Sequence, residues 1–466
     1  MGAPFEDPAG AVANAGEHRS AQLTARAHNA TAIRAYRRPS PNLFTIRPLS
    51  TSGQRCHRPA ATILGMNTIA SRRPRGPVAA LAVLIPALMA GHLPLAAAQP
   101  EARTPTFSKD IVAATAAPAV AVQATALVRG LKNPWSLAWL PNGDMLVTER
   151  GGTLRRISAD FKLDPKPIEG VPTVKVAGQA GLFDVVPHPQ YASNGWLYLA
   201  YAEPSPTDDG EYGTALMRAR LKDGRLVDQE RLFAMSPKSR RGFHLGGRIV
   251  FDGKGYLYLT LGDRGEMQRA QAPRDHAGAV IRLHDDGRVP ADNPHAKDPK
   301  QLPEVFSRGN RNMQGAALHP TTGELWTHEH GPQGGDELNI IRAGRNYGWP
   351  TITYGANYVT GTKIGEGTAR QGLEQPLHVW TPSIGVSGMA FYNAEAIAPW
   401  KGSLLLGGLS GQSLVRLVLD GERVQREERL LFGEVGRVRE VRVGPDGLVY
   451  LLNDSPDGAL WRVQPR

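Results

Sequence analysis

The stretch DGKGYLYLTLGD (252–263) places a polar turn with two glycines directly before Tyr256, Leu257, Tyr258, Leu259 and Thr260, and it ends on a second Gly-Asp turn. Turn residues flanking a short apolar run rich in aromatic and β-branched side chains mark a strand entered through a tight turn. The unit recurs as PNGDMLVTER (141–150), SNGWLYLAYAE (193–203), TGELWTHEH (322–330), KGSLLLGGL (401–409) and PDGLVYLLND (445–454). Between these copies helical periodicity is almost absent, and Pro, Gly, Asn and Asp punctuate the chain, so the fold class is all-β. Six copies separated by loops of variable length predict a six-bladed β-propeller of four-stranded antiparallel blades. The alternative, a large sandwich, would show closer and more even spacing. TALVRGL (125–131) and GALWRVQP (458–465) are predicted to pair, so that both chain ends complete one blade and no edge stays open.

Outward from the repeats, the chain is long, at 466 residues and 41% hydrophobic, and needs neither disulfides nor metals to build a core. Its net charge of +11 invites a nucleic-acid reading, but eleven arginines against three acidic residues lie before residue 99. The remainder is only mildly basic, which excludes a polyanion partner as the main expectation. Within that front part, Arg72, Arg73 and Arg75 precede an apolar stretch from Pro77 to Ala90 and a small-residue cut site at Ala96–Ala98. This reads as a secretory signal peptide over 66–98, too short and proline-broken for a membrane span, with an uncleaved anchor as the alternative. Residues 1–65, Ala/Arg/His-rich and aperiodic, read as an over-extended start or a disordered leader, 99–120 as an N-terminal linker and 121–466 as the propeller. The expected location is periplasmic or secreted. Cys56, the only cysteine, falls in the leader, so the exported part is expected to be thiol-free.

A propeller collects loops from every blade at one end of its axis, so chemistry is sought in loops beside the six strands. In GQAGLFDVVPHPQY (178–191) Gln179 stands between small residues; in FHLGGR (243–248) His244 precedes two glycines; GDRG (262–265) follows. A loop histidine suits general-base work because its unperturbed pKa is near neutrality, and the glycines are expected to let a ligand approach; taken alone, the commoner reading of His244 is a surface or packing histidine. Asp263 is expected to orient the imidazole; the plainer reading is a β-turn in which it bonds its own backbone. In SRGNRNMQG (307–315) Arg308 and Arg311 flank Asn310 and Asn312, which points to an anionic ligand or to a solvated charge cluster. EHGPQGGDELNIIRAGRNYGWP (329–350) combines Glu329, Asp336 and Glu337 with glycine-rich backbone, the hard oxygen donors that calcium takes. In GRVREV (436–441) Arg437 and Arg439 fall two apart, on one face of a strand, which points to a clamp for an acidic group or equally to an exposed strand face.

Taken together, GQAGLFDVVPHP, HLGGR with GDRG, RLHDDGRVPADNP (282–294), GNRNMQG, HGPQGGDELNIIRAGRNYGWP and GRVRE resemble the soluble aldose and glucose dehydrogenases that depend on pyrroloquinoline quinone (PQQ). The resemblance implies a six-bladed propeller carrying PQQ at its axis and oxidising aldose sugars at C1 to the lactone. By it, His244 takes the C1 hydroxyl proton while hydride passes to the quinone, with Asp263 in support. Gln179 contacts sugar and cofactor, Arg311 and Asn312 hold the quinone end, with Arg311 favouring the charge of reduction, and Arg437 and Arg439 bind the cofactor carboxylates. The carbonyls of Gly331 and Pro332 ligate the calcium that positions PQQ, Glu337 and Tyr347 fit a second, structural calcium site, and Trp380 lines the sugar pocket. The electrons go to a periplasmic acceptor, a cytochrome or a quinone, and a monomer is favoured. Two positions depart from the pattern: Ser410 stands where the family commonly places a cofactor-binding lysine, and Phe243 where the glucose-specialised branch has an aspartate. Calcium-dependent propeller lactonases and non-enzymatic binding propellers are the rival readings for this fold.

Overall fold

The computed structural model describes residues 103–112, 120–208 and 210–466; the leader, the signal segment and Cys56 lie outside them. Six antiparallel sheets follow one another along the chain. Blade one comprises Pro134–Trp139, Met145–Glu149 and Thr153–Ile157; blade two Leu182–Pro187, Trp196–Pro204, Tyr212–Lys222 and Arg225–Ala234; blade three Ile249–Phe251, Tyr256–Thr260, Val280–His284 and Val305–Ser307. Blade four comprises Met313–Leu318, Leu325–Glu329, Asp336–Ile341 and His378–Trp380; blade five Val386–Tyr392, Ser403–Gly408, Ser413–Asp420 and Arg423–Leu430. Blade six comprises Val438–Val443, Val449–Asn453 and Gly458–Pro465, and its outermost strand is Val122–Leu131 from the front of the chain. This is the predicted closure: Val122 pairs with Pro465 and Leu131 with Gly458, so the ring is fastened by strand pairing between chain ends about 330 residues apart.

Every one of the six sequence repeats is the second strand of its blade, entered from the turn after the innermost strand. In the stretch quoted first, Gly253 and Gly255 take positive φ of 71° and 94°, and the Asp252 carboxylate accepts from the Lys254 and Tyr256 N–H groups. Glycine adopts that backbone without a Cβ clash and the aspartate satisfies the turn's donors, which is why the motif reads so clearly. Most second strands are buried on both faces, as in WLYLAYA (196–202), because each blade is sandwiched between two others; in blade three Tyr256 and Tyr258 leave one face half-buried. Six principal apolar clusters result, one at each blade interface. Trp135, Phe183, Tyr198 and Leu259 belong to the one between blades two and three, and Trp326, Trp380 and Leu404 to the one between four and five.

Two blades depart from the four-strand pattern. Blade one has three continuous strands and only single bridges, Leu154 to Ile168 and Ile157 to Leu163, in place of its fourth. Blade four gains a fifth: Thr106–Phe107 pairs in parallel with His378–Val379. The segment read as a linker is therefore in part an outer strap. Its Thr106 hydroxyl meets His378 Nδ1 at 2.8 Å, and the other nitrogen of that fully buried imidazole meets Glu427 of blade five at 3.1 Å. Around the axis, the innermost strands contribute a buried ionic belt in which Arg248 pairs with Glu440 and lies 4.0 Å above the Trp135 ring, while Asp184 accepts from Ser136, Ile249 N–H and Arg442. Each charge has partners, the condition under which burying it is tolerable. No helix among the described residues is long and apolar enough to cross a membrane.

Candidate active site

The ring geometry decides which residues meet. Loops that enter an innermost strand and loops that leave a second strand lie at the same end of a propeller. Gln179, His244, Arg311 and Arg437 occur in the first kind of loop, and Asp263, Gly331, Ser410 and Asp454 in the second.

His244 sits at positive φ, 51°, with its N–H donating to the Gln179 side chain at 2.9 Å; Gln179 is itself held by the Gly242 carbonyl at 2.8 Å. Its Nδ1 lies 2.6 Å from Asp263 Oδ1, and the second Asp263 oxygen accepts from the Trp349 indole N–H at 2.7 Å. Burial works against ionisation of Asp263, but His244, Arg311 and the Gly265 N–H outweigh it and hold the carboxyl below its usual range. An ionised carboxylate on Nδ1 keeps a proton there and leaves Nε2 as the basic nitrogen. Asp263 also closes its own turn through Gly265 N–H at 2.7 Å, so both sequence readings of GDRG hold at once. The glycines of HLGGR act differently from expectation. A Cβ on Gly246 would meet the Thr260 carbonyl at 2.5 Å and one on Gly247 the Phe183 ring at 2.8 Å, so their bareness serves packing against blades two and three.

On the other side of the axis a continuous polar chain runs from the base toward the distal arginines. Asn312 Oδ1 accepts from Gly246 N–H at 3.3 Å and from Gln314 Nε2 at 3.1 Å, and Gln314 Oε1 accepts from Arg439 at 3.1 Å. Arg439 and Arg437 both donate to Asp454 Oδ2, at 3.2 and 3.3 Å, and Asn133 to its other oxygen at 3.2 Å. Burial raises the Asp454 pKa, and the two guanidinium groups reverse this and bring it down to about 2. Arg437 and Arg439 thus converge as expected, although a bulge between Val438 and Glu440 replaces the simple strand face the spacing implied. Arg308 turns away, to Gln301 and the blade-four loop, and is separate from this cluster.

Next to Arg311 lies a small cavity lined by Glu329, His330, Gly331, Gly335, Glu337, Tyr347, Trp349 and Thr353. Arg311 donates to the Gly331 carbonyl at 2.8 Å and stacks its guanidinium 5.4 Å from the Trp349 ring. Glu329 accepts from the backbone N–H groups of Arg311 and Asn312, and stands directly opposite Glu337 in the strand register. Burial raises Glu329 to about 7; burial and the facing Glu329 push Glu337 well above the usual range. Two carboxyls so placed call for a shared proton or a cation between them. Asp336, in contrast, is consumed by the backbone: it accepts from the N–H groups of Gly331, Ile384, Gly385 and Val386. The Tyr347 hydroxyl is likewise committed, donating to the Ile340 carbonyl at 2.5 Å and accepting from Arg342 N–H at 2.8 Å. Among the described residues no group of three or more His, Cys, Asp or Glu side chains is arranged as a metal cage, so carbonyls and this pair are the oxygen donors at hand.

Trp380 requires a correction. It is 0% exposed, packed edge-on against His378 at 4.5 Å in the core between blades four and five, and presents no surface to a sugar. A Trp in a short loop-bounded strand looks the same in sequence whether it faces a cleft or a core. Asp454, Gln314 and Trp349 went unassigned in the sequence, although each lies in a quoted motif; neutral or paired residues carry no signal until their partners from other blades are known.

The family model for glucose/sorbosone dehydrogenases matches residues 131–462, all six blades. The chain belongs to the glucose/sorbosone dehydrogenase family. Aldose sugar dehydrogenase YliI of Escherichia coli (strain K12) is 44% identical over 356 residues, 75% of this chain and 95% of that relative. The solved apo-form of the soluble aldose sugar dehydrogenase from Escherichia coli, 43% identical, superposes with a TM-score of 0.72 over 74% of this chain and 100% of the other. The PQQ-bound aldose sugar dehydrogenase from Streptomyces coelicolor, 28% identical, gives 0.60 over 75% of this chain and 100% of the other. Quinoprotein glucose dehydrogenase B of Acinetobacter calcoaceticus is a more distant relative within this family comparison, 26% identical over 71% of this chain and 84% of its own length.

Proposed function

We propose that this member of the family is an aldose sugar dehydrogenase, oxidising the sugar C1 hydroxyl to the lactone with PQQ and calcium, and passing electrons to an acceptor in the exported compartment. The observation that carries the reading is the juxtaposition of a carboxylate-oriented imidazole, His244 on Asp263, with an arginine-rich wall formed by Arg311, Arg437 and Arg439. The donor set fits an acidic cofactor: Gln179 bonds the base, Asn312 and Gln314 link its loop to Arg439, and among the described residues Asp454 is the one carboxylate that pairs with the distal arginines Arg437 and Arg439. For calcium the carbonyls on offer are those of Gly331 and Pro332, and the Gly331 oxygen, which accepts from Arg311 at 2.8 Å, would have to be given up to the ion. A second calcium fits the raised Glu329 and Glu337 carboxyls in the cavity that Tyr347 also lines, although the Tyr347 hydroxyl itself is engaged by Ile340 and Arg342.

When bound, PQQ would supply the hydride acceptor and calcium the Lewis acid that polarises it. The chain's own residues supply the rest. His244 Nε2 receives the C1 hydroxyl proton, and Asp263 stabilises the imidazolium that forms. Gln179 fixes the backbone of the base, and Arg311, stacked beside Trp349, would favour the negative charge that develops when an acidic cofactor is reduced. Ser410, exposed at the turn after the second strand of blade five, contributes no cation, so the anionic cofactor relies on the three arginines.

Purified protein supplied with PQQ and calcium should reduce an artificial acceptor when given an aldose. H244A should lose turnover, by roughly 10²–10⁴-fold for a general base, while PQQ still binds; retained turnover in that variant removes the base.

A further inference from the structure

Arg264, inside the GDRG turn, is 0% exposed and takes positive φ, 64°, in the left-handed region that glycine usually fills. Its acceptors are carbonyls alone: Nε donates to Phe243 O at 3.2 Å, Nη1 to Tyr212 O at 2.6 Å and Nη2 to Arg241 O; its backbone N–H donates to His244 O at 3.2 Å. Among the described residues it forms no ion pair, and its guanidinium lies 4.8 Å from the Tyr212 ring. Burial brings its pKa down to about 10, still charged at neutral pH. Burying a cation without a carboxylate is costly, and a turn alone does not require it. What the fork achieves is specific: from the residue next to Asp263 it ties two of the three carbonyls just before the base, those of Arg241 and Phe243, to the Tyr212 carbonyl at the start of a blade-two strand, while the Arg264 backbone N–H holds the carbonyl of the base itself.

We propose that Arg264 is a positioning residue for His244, its fork holding the Arg241 and Phe243 carbonyls that lead into the base against the Tyr212 carbonyl, so that the imidazole meets Asp263 and the substrate in one geometry. The inference rests on the reading of His244 as the base. A lysine keeps the charge but offers one nitrogen on a flexible stem and cannot span these carbonyls. Misplacing a reacting group by about 1 Å can cost on the order of 10²-fold in rate.

The test compares R264K and R264A with the wild type in the full-length protein. R264A should lose roughly 10²-fold in kcat at nearly unchanged KM, guanidinium ion added to the buffer should restore part of it, and R264K should recover less than the added ion does. Long-range ¹H–¹⁵N spectra of His244 should show the single Nδ1–H tautomer in the wild type and a mixture in both variants. Wild-type kcat and a single tautomer in R264K overturn the proposal, as does a R264A deficit that guanidinium leaves untouched. Should the wild type oxidise no aldose with PQQ and calcium, the dehydrogenase reading falls, while the tautomer spectra still decide whether Arg264 orders the imidazole.

Discussion

Replacing Asp263 with Asn isolates the charge of the carboxylate from its shape. The side chain accepts three hydrogen bonds: His244 and Gly265 on Oδ1, Trp349 on Oδ2. An amide keeps two of these if its oxygen stays toward His244 and Gly265, which forces its NH₂ against the Trp349 indole N–H. That buried, unpaired donor costs about 1–3 kcal/mol of stability. The catalytic loss is separate. A charge-assisted hydrogen bond to the imidazolium is worth about 1.5–3 kcal/mol, which at about 1.4 kcal/mol per decade predicts a fall in kcat of roughly ten- to a hundred-fold. The double variant D263N/W349F removes the indole donor but leaves the amide NH₂ without an acceptor, so it should recover part of the stability and none of the rate. Dye-coupled turnover with PQQ, calcium and an aldose reads the first quantity, and urea melts followed by tryptophan-independent circular dichroism read the second. A D263N enzyme with wild-type kcat, or a double variant that regains rate along with stability, would refute the division of roles. The pH dependence has a definite sign. The folded pKa of Asp263 is depressed, so its contribution to stability is complete above the unfolded value of about 3.9 and disappears as pH falls through the lower folded value.

Asp454 offers a test of the arginine wall. D454N leaves two partly buried guanidinium groups without their counter-charge and should lower the apoprotein's melting temperature, by about 1–3 kcal/mol in stability because Arg437 is partly exposed. PQQ should then raise the melting temperature more in D454N than in wild type, an outcome read by differential scanning fluorimetry. Above about pH 4 the wild-type clamp is intact, and its stabilisation fades toward pH 2 as the depressed carboxyl protonates. L460A, in the closing strand and fully buried, should cost about 2–5 kcal/mol, seen as a lower urea midpoint. Treating the loaded enzyme with a calcium chelator should remove activity slowly and release PQQ with the metal, and adding calcium with PQQ should restore both, followed by cofactor absorbance.

The chain by itself determined the ring. The second strands are largely buried between neighbouring blades, so each reads as a short apolar run bounded by turn residues, and six such runs are visible without knowing any contact. The closing pair at 125–131 and 458–465 was legible for the same reason: two alternating strands at opposite ends of an all-β chain have each other as partners. Of the candidate site, His244 and Asp263 were legible as titratable residues beside glycines on loops, and Arg437 and Arg439 as two charges spaced two apart on a strand. Tertiary structure alone decided the rest. Asp454 is a turn residue until blade six brings it under two arginines, Trp349 is one more aromatic until its indole reaches Asp263, and the glycines of HLGGR are spacers until Thr260 and Phe183 crowd against them. Trp380 shows the converse, an aromatic whose side of the sheet is set by the blade packed against it. Strand patterns are written in neighbouring residues, whereas the partners of a polar side chain at a propeller's axis come from loops in different blades, and only closure of the ring brings them within hydrogen-bonding distance.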